Sequence, residues 1–400
     1  MTATAPALLA RRNGVAAVFV LNGLFFATLV SRYPDIRSEL RLSNGGLGLL
    51  LMAVSLGSVS GLPLAGRIIE RLGEALVVRV AAICCAVTMV IVALGATTID
   101  SVPVAAVGLC GYGVGISLWD VAMNVEAAEV ERHIGRTVMP RFHAGWSAGS
   151  IIGGGVGVLM TALGVPMLLH ALIIIVPATV GAWLGADRFY PHVPAASTAE
   201  QGRPRSAWRE PRVLVLGLMV LTFAVVEGSA NDWLSLAVID GYHTAYWVGV
   251  AGFWLFTLLM TTGRVAGTHA LDRFGRTSVL RGCAVLAGIG ILITVYGGSL
   301  AVAAIGIMVW GLGASLGFPV GMSAGADDPK RAAARVSVVS TIGYAAFLAA
   351  PPLLGWLGDQ VGTLRSLLVV AALMVPAIVT AAAARPQQAT AQAPQSTSPH

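Results

Sequence analysis

Long apolar runs, broken at intervals by Gly, Pro and charged residues, fill the chain from residue 14 to residue 384. A helix needs about 20 apolar residues to cross a bilayer core. Runs of that length fall at 14–32, 45–66, 76–97, 102–123, 142–163 and 165–186, and again at 213–232, 245–266, 278–297, 300–321, 336–357 and 364–384. Twelve spanning helices are therefore predicted. Residues 187–212 (DRFYPHVPAASTAEQGRPRSAWREPR) are polar and Pro-rich and read as a linker, which divides the chain into six-helix halves at 14–186 and 213–384. Residues 1–13 precede the first run without a small-residue cleavage site, so that run is read as a retained helix. The low-complexity stretch 385–400 is read as a disordered tail.

Composition agrees with the run pattern. Only 11% of residues are charged and 56% are hydrophobic, against about 25% charged in soluble domains. Cys84, Cys85, Cys110 and Cys283 all lie inside apolar runs, which argues against a disulfide framework or a metal site. The net charge of +6 has a topological explanation rather than a nucleic-acid one. With the N-terminus in the cytoplasm, all of the 25 Lys and Arg residues except Arg32, Arg37, Arg41 and Arg365 fall on or beside cytoplasmic segments, as the positive-inside rule requires.

The halves repeat one another. Glu70-Arg71-Leu72-Gly73 after the second run matches Asp272-Arg273-Phe274-Gly275 after the eighth, an offset of 202. Gly111-Tyr112-Gly113 in the fourth run matches Gly311-Leu312-Gly313 in the tenth, and Arg12 matches Arg212, both at an offset of 200. Repeats of this kind place a solute site near the bilayer midplane, between the halves.

The acid-Arg-x-Gly segments resemble the G-x-x-x-D-R-x-G-R/K signature of the major facilitator superfamily. The first copy carries Glu70 for Asp and Glu74 for the final base; the second keeps Asp-Arg-Phe-Gly-Arg but displaces the leading Gly. Trp119–Glu126 and Glu227–Trp233 further resemble the MosC-like (rhizopine-associated) branch. The resemblance implies an all-α membrane protein, with twelve transmembrane helices in two pseudo-symmetric six-helix bundles. Independently of the resemblance, an acid beside an Arg at a helix end can pair across the bundle in one conformation and release in the other, so Glu70, Arg71, Asp272 and Arg273 are read as gating residues, or else as basic anchors. A stretch beginning at Gly149 resembles the G-P-x-x-G-G motif of drug/proton antiporters, with Ser150 at the Pro position, but the helix-4 Arg of those proteins is replaced by apolar sequence around Val107.

In the fifth run, Gly145, Gly149, Gly153 and Gly157 recur every four residues and make one smooth face for close helix contact. Charges inside the runs are candidates for chemistry, because burial in hydrocarbon costs about 2.5–3.5 kcal/mol each on insertion scales. Glu227 lies fifteen residues into the seventh run, roughly 22 Å along it, and its repeat counterpart is Ala27. It is either a proton-coupling acid or an acid paired permanently to a neighbouring helix. Asp120, with Asn124 one turn on, is a second candidate, or marks where its helix leaves the membrane. Glu126, Glu129 and Glu131 are expected in solvent. Arg32 and Asp232 close the first and seventh runs at matched positions, and are expected to help seal the outer side directly or through neighbours, or else to act as interfacial anchors. His143 is read as an interfacial anchor or a titrating group. Asn22, Asn124, Trp146, Asn231 and Tyr344 are the solute-binding candidates.

The function expected is a secondary transporter of a small sugar-like, cyclitol-like or drug-like solute, coupled to protons and working as a monomer in the lipid bilayer without cofactor or metal. A passive facilitator and a non-transporting membrane sensor remain as alternatives. The sequence has no P-loop, H-E-x-x-H or G-x-S-x-G element to support an enzyme.

Overall fold

The structure, a computed structural model, describes residues 5–135, 138–191, 207–328 and 331–385. Among the described residues fourteen α-helices follow one another. The first half holds α1 (Ala5–Val30), the short α2 (Tyr33–Glu39), α3 (Asn44–Leu72), α4 (Glu74–Thr97), α5 (Val102–Ile134), α6 (Met139–Ala162) and α7 (Met167–Ala186). The second half holds α8 (Pro211–Tyr242), α9 (Tyr246–Tyr296), α10 (Leu300–Ala314), α11 (Gly317–Gly325), α12 (Ala332–Val361), α13 (Thr363–Ser366) and α14 (Leu368–Thr380). Helix α9 is two helices joined at Gly275, α10 and α11 share one crossing, and α13 leads into α14. Counted this way the chain crosses twelve times.

Large apolar side chains face outward on the long helices, among them Val107, Leu159, Val180, Val265 and Val379. On a water-soluble protein such a surface would be a liability, whereas it suits helices long and apolar enough to sit in lipid. Among the described residues, ten helical stretches are long and apolar enough to cross a membrane. Six glycines dilute the hydropathy of α6, which is nevertheless 24 residues long and packs as a full member of its bundle.

The repeated acid-Arg-x-Gly segments are helix ends, not open loops. Gly73 joins α3 directly to α4 with φ 78° and ψ 156°. Gly275 breaks α9 with φ 75° and ψ 160°. This backbone region is open in practice only to glycine, which explains why both copies keep that residue.

Several boundaries differ from the sequence expectation. Helix α8 does not close at Asp232 but runs ten residues further, to Tyr242, so Asp232 lies inside it and Asp240 is the acid at its end. Helix α5 runs on to Ile134 and carries Glu126 into the protein, where it is 1% exposed and accepts a hydrogen bond from the Tyr190 amide at 2.8 Å. That acid is not in solvent. Glu129 pairs with Arg132 and His133, and Glu131 caps the start of α6 through the amides of Val138 and Met139. Of the expected linker and tail, residues 192–206 and 386–400 lie outside the described residues.

Within the first half α1 packs on α6, and α5 packs on α3 and α4; within the second α8 packs on α12, and α9 on α10 and α14. The halves meet along two seams, α3 against α12 and α6 against α9. The end of the bundle where α1 begins and α14 finishes is called the terminal end below, and the opposite one the distal end.

Candidate functional site

The hydrogen bonds that cross between the halves cluster toward the distal end. Arg37 of α2 forks onto Asp240 of α8, Nη1 to Oδ2 at 2.5 Å and Nη2 to Oδ1 at 2.6 Å, and Thr363 donates to the same carboxylate at 2.6 Å. Asp359 of α12 accepts the backbone amides of Asn44 and Gly45 at 2.8 Å each. This carboxylate therefore caps the N-terminus of α3 from the other half, where amides without helical partners and the helix dipole both favour an anion. Deeper in the seams, Ser55 donates to the Phe347 carbonyl at 2.7 Å, and Trp254 Nε1 to the Ile151 carbonyl at 3.1 Å.

At the terminal end several ion pairs form within one half. Arg79 binds Asp187; Arg331 and Arg335 hold Glu210 at 2.6 and 2.9 Å; Arg276 holds Asp327 at 2.6 Å. Glu70, Arg71, Asp272 and Arg273 are all exposed there. The polar contacts described between the halves thus lie in the seams and toward the distal end.

Glu227 sits midway along α8, and both its oxygens accept from Arg264 Nη2 of α9, at 3.0 and 2.9 Å. Arg264 lies about three turns before the Gly275 break, within the apolar crossing. The charge pattern of the sequence groups it with the basic residues on or beside cytoplasmic segments; the structure sets it inside the span as the partner of the central acid. A lone Arg in the apolar stretch Thr261-Thr262-Gly263-Arg264-Val265-Ala266 was the signal available in the sequence. Across the seam from α6, His143 lies within electrostatic reach of Arg264.

Asp120 of α5 is exposed, and across the seam it lies within electrostatic reach of Tyr344 of α12. Asn124 donates to the Asp120 backbone carbonyl at 2.8 Å and to its carboxylate at 3.3 Å. Tyr344 stands between Phe318 and Phe347, with ring centroids 6.1 Å away on each side. In the first half, Trp146 of α6 donates from Nε1 to Asn22 of α1 at 2.9 Å and lies 5.5 Å from the Phe26 ring. Asn22 is buried, and its amide nitrogen has no partner among the described residues. Asn231 lies one turn beyond Glu227 on α8.

Other candidates fall elsewhere. Arg32 is buried and turned toward its own half: it donates to His170 Nδ1 at 2.9 Å, the Val165 carbonyl at 2.9 Å and Asp35 at 3.1 Å. It makes no hydrogen bond to Asp232, which instead lies within electrostatic reach of Tyr33. The charged pair that joins the two halves at the distal end is Arg37 with Asp240, a pairing the sequence does not single out. The glycine stripe of α6 faces α1: Gly149 packs against the Val20 carbonyl, Gly153 against Leu24 and Gly157 against Ser31, whereas a Cβ at Gly145 would stand a looser 3.4 Å from Val20.

Comparison with known proteins gives one consistent answer. The family model of the Major Facilitator Superfamily matches residues 15–344. The "Uncharacterized transporter y4wD" of Sinorhizobium fredii is 31% identical over 353 residues, covering 88% of this chain and 92% of its own length. "Membrane protein MosC" of Rhizobium meliloti is 26% identical over 370 residues, covering 91% and 87% respectively. Among solved structures, a bacterial homologue of the human lysosomal transporter Spinster, in an inward-facing and unoccupied conformation, superposes with a TM-score of 0.75. It covers 97% of this chain and 100% of its own at 12% identity, a likeness of fold.

Proposed function

The chain belongs to the major facilitator superfamily, and on that premise we propose that it is a proton-coupled secondary transporter of a small organic solute. It works by alternating access across the cytoplasmic membrane of a bacterium, as a monomer with both chain ends in the cytoplasm. The observation that carries this reading is the Glu227–Arg264 pair, held mid-span in a second half that is joined to the first by hydrogen bonds toward the distal end. On this assignment the terminal end is cytoplasmic, in keeping with the placement of the basic residues, and the structure is an inward-facing state.

Glu227 is the proton site. Deprotonated, it holds Arg264; protonated, it loses the charge that makes the pair strong in a low-dielectric setting. Asp120 is the second candidate acid. The solute, sugar-like, cyclitol-like or drug-like, is read as lying between Asn22, Asn124 and Trp146 of the first half and Asn231 and Tyr344 of the second. Glu70, Arg71, Asp272 and Arg273 act at the cytoplasmic gate. Arg37 with Asp240, and Asp359 with the start of α3, hold the outer gate, backed by Arg32 and Asp232 through Tyr33.

The test is uptake into proteoliposomes with and without an imposed pH gradient, for the parent and for Glu227→Gln. Coupling predicts that the gradient accelerates the parent and leaves the variant unmoved. Equal rates under both conditions in both proteins contradict it. They favour the passive facilitator, for which a Glu227–Arg264 pair that never opens is the structural argument.

A further inference from the structure

Helix α10 ends at Ala314 and α11 begins at Gly317, so one crossing of the second half is broken mid-way. The cause is local. In a continuous helix the Ser315 carbonyl would accept from the amide four residues on, but that residue is Pro319, which has no N–H. A carbonyl freed inside a membrane span has to find another donor. It finds Arg264, whose Nε donates to the Ser315 oxygen at 3.2 Å while Nη2 of the same guanidinium holds Glu227. Arg264 is brought there by close helix packing: its neighbour Gly263 leaves no room for a Cβ against Ser315, and Gly267 fits under Leu316.

The first half has none of these parts. The repeat counterpart of Pro319 is Trp119, and α5 runs unbroken through it. Arg264 corresponds to Leu62, and Glu227 to Ala27. Three features confined to one half are in direct contact in space. The fold does not require them, since its other copy forms without them, and one guanidinium joins all three.

We propose that Arg264 is a relay that ties the charge on Glu227 to the proline-made break between α10 and α11. The proposal rests on the reading of Glu227 as the proton site and adds the element that answers to it. With Glu227 ionised, the guanidinium is anchored on one side by a carboxylate and on the other by the Ser315 carbonyl, and the break is held in one geometry. When Glu227 gains a proton, Arg264 keeps its charge and loses its counter-ion. It moves, the Ser315 carbonyl loses its donor, and α11 swings about Ser315–Leu316. The titratable groups placed against this centre among the described residues are His143 from α6, within electrostatic reach of Arg264, and Cys283 from the second segment of α9, whose thiol meets the Ser315 side chain and the Leu316 backbone. Arg264 is thus a positioning residue, acting on the path through α11 rather than on the solute.

The experiment needs no solute. Spin labels are placed at Ala326, exposed just beyond α11, and at Val285 on the second segment of α9, in a background in which Cys84, Cys85, Cys110 and Cys283 are replaced. Their separation is measured in lipid nanodiscs at acid and alkaline pH. The relay predicts a shift of about 2 Å or more between the two pH values in the parent, the scale of a helix displacement. Glu227→Gln should show the acid distance at both pH values. Arg264→Lys, which keeps the charge but loses the fork, should lose the pH response. Pro319→Ala, which restores an amide donor to Ser315, should also hold one distance. A shift that persists unchanged in Arg264→Lys, or no shift in the parent and Glu227→Gln, overturns the relay. Uptake by the same variants separates the two ideas: Glu227-dependent uptake with a static α11 sinks the relay alone, whereas gradient-driven uptake that survives Glu227→Gln sinks the coupling reading beneath it.

Discussion

Arg37 and Asp240, 203 positions apart in sequence, meet fork to fork at 2.5 and 2.6 Å and bind the first half of the protein to the second. Both side chains are less than a third exposed, so screening leaves much of the interaction intact. Replacing either by Ala should loosen the distal closure. The measurement is the rate at which an impermeant maleimide modifies a cysteine introduced at Ser55, deep in the α3–α12 seam, in a cysteine-free background. The rate should rise in Arg37→Ala and Asp240→Ala, and the two effects should fall short of additive by about 1–3 kcal/mol in a double-mutant cycle. Unchanged labelling would remove this pair from the gate.

Asp359 caps α3 from across the seam, and its contribution should resemble that of an N-cap with a favourable dipole. Asp359→Ala should cost about 0.5–1 kcal/mol, read as a lower melting temperature of the purified protein. Because the carboxylate is exposed, the difference from the parent should shrink as salt is raised. A salt-independent difference would point to packing rather than charge.

The glycines of α6 separate into tight and loose positions. A Cβ at Gly149 would run into the Val20 carbonyl, whereas one at Gly145 would meet its nearest neighbour at 3.4 Å. Gly149→Ala should therefore destabilise by about 1–3 kcal/mol, and Gly145→Ala by much less. Thermal melting of the two variants side by side decides it; equal effects would mean that α1 and α6 yield easily.

The spans and the duplication were legible because both are written locally. Hydrophobic runs mark the crossings, and Gly73 and Gly275 announce a backbone geometry that other residues avoid. The end of α8 is not legible at Asp232, because a charge alone does not mark the water boundary: the apolar Leu234–Ile239 follows it and the helix stops only at His243, in the left-handed region. Once the helix is given its full length, Asp240 replaces Asp232 as its distal acid. Glu126 departs from the expected solvent position for a similar reason: a carboxylate past the apolar stretch of α5 still meets a buried amide, that of Tyr190. The pairing of Arg264 with Glu227, and of Arg37 with Asp240, depends on which helix faces meet. Single-residue spacing carries no record of that.

Counterflow is the most direct test of a carrier built from two rocking halves. A solute that raises the melting temperature of the purified protein, as a state-specific ligand does, is loaded unlabelled into proteoliposomes, and entry of the labelled solute is followed. A carrier predicts a transient, saturable accumulation of label driven by the internal solute. Joining cysteines at positions 37 and 240 with a bifunctional thiol reagent should abolish it, because the distal end is then unable to open. Entry that never exceeds equilibrium, or accumulation that survives the cross-link, would contradict alternating access in this protein.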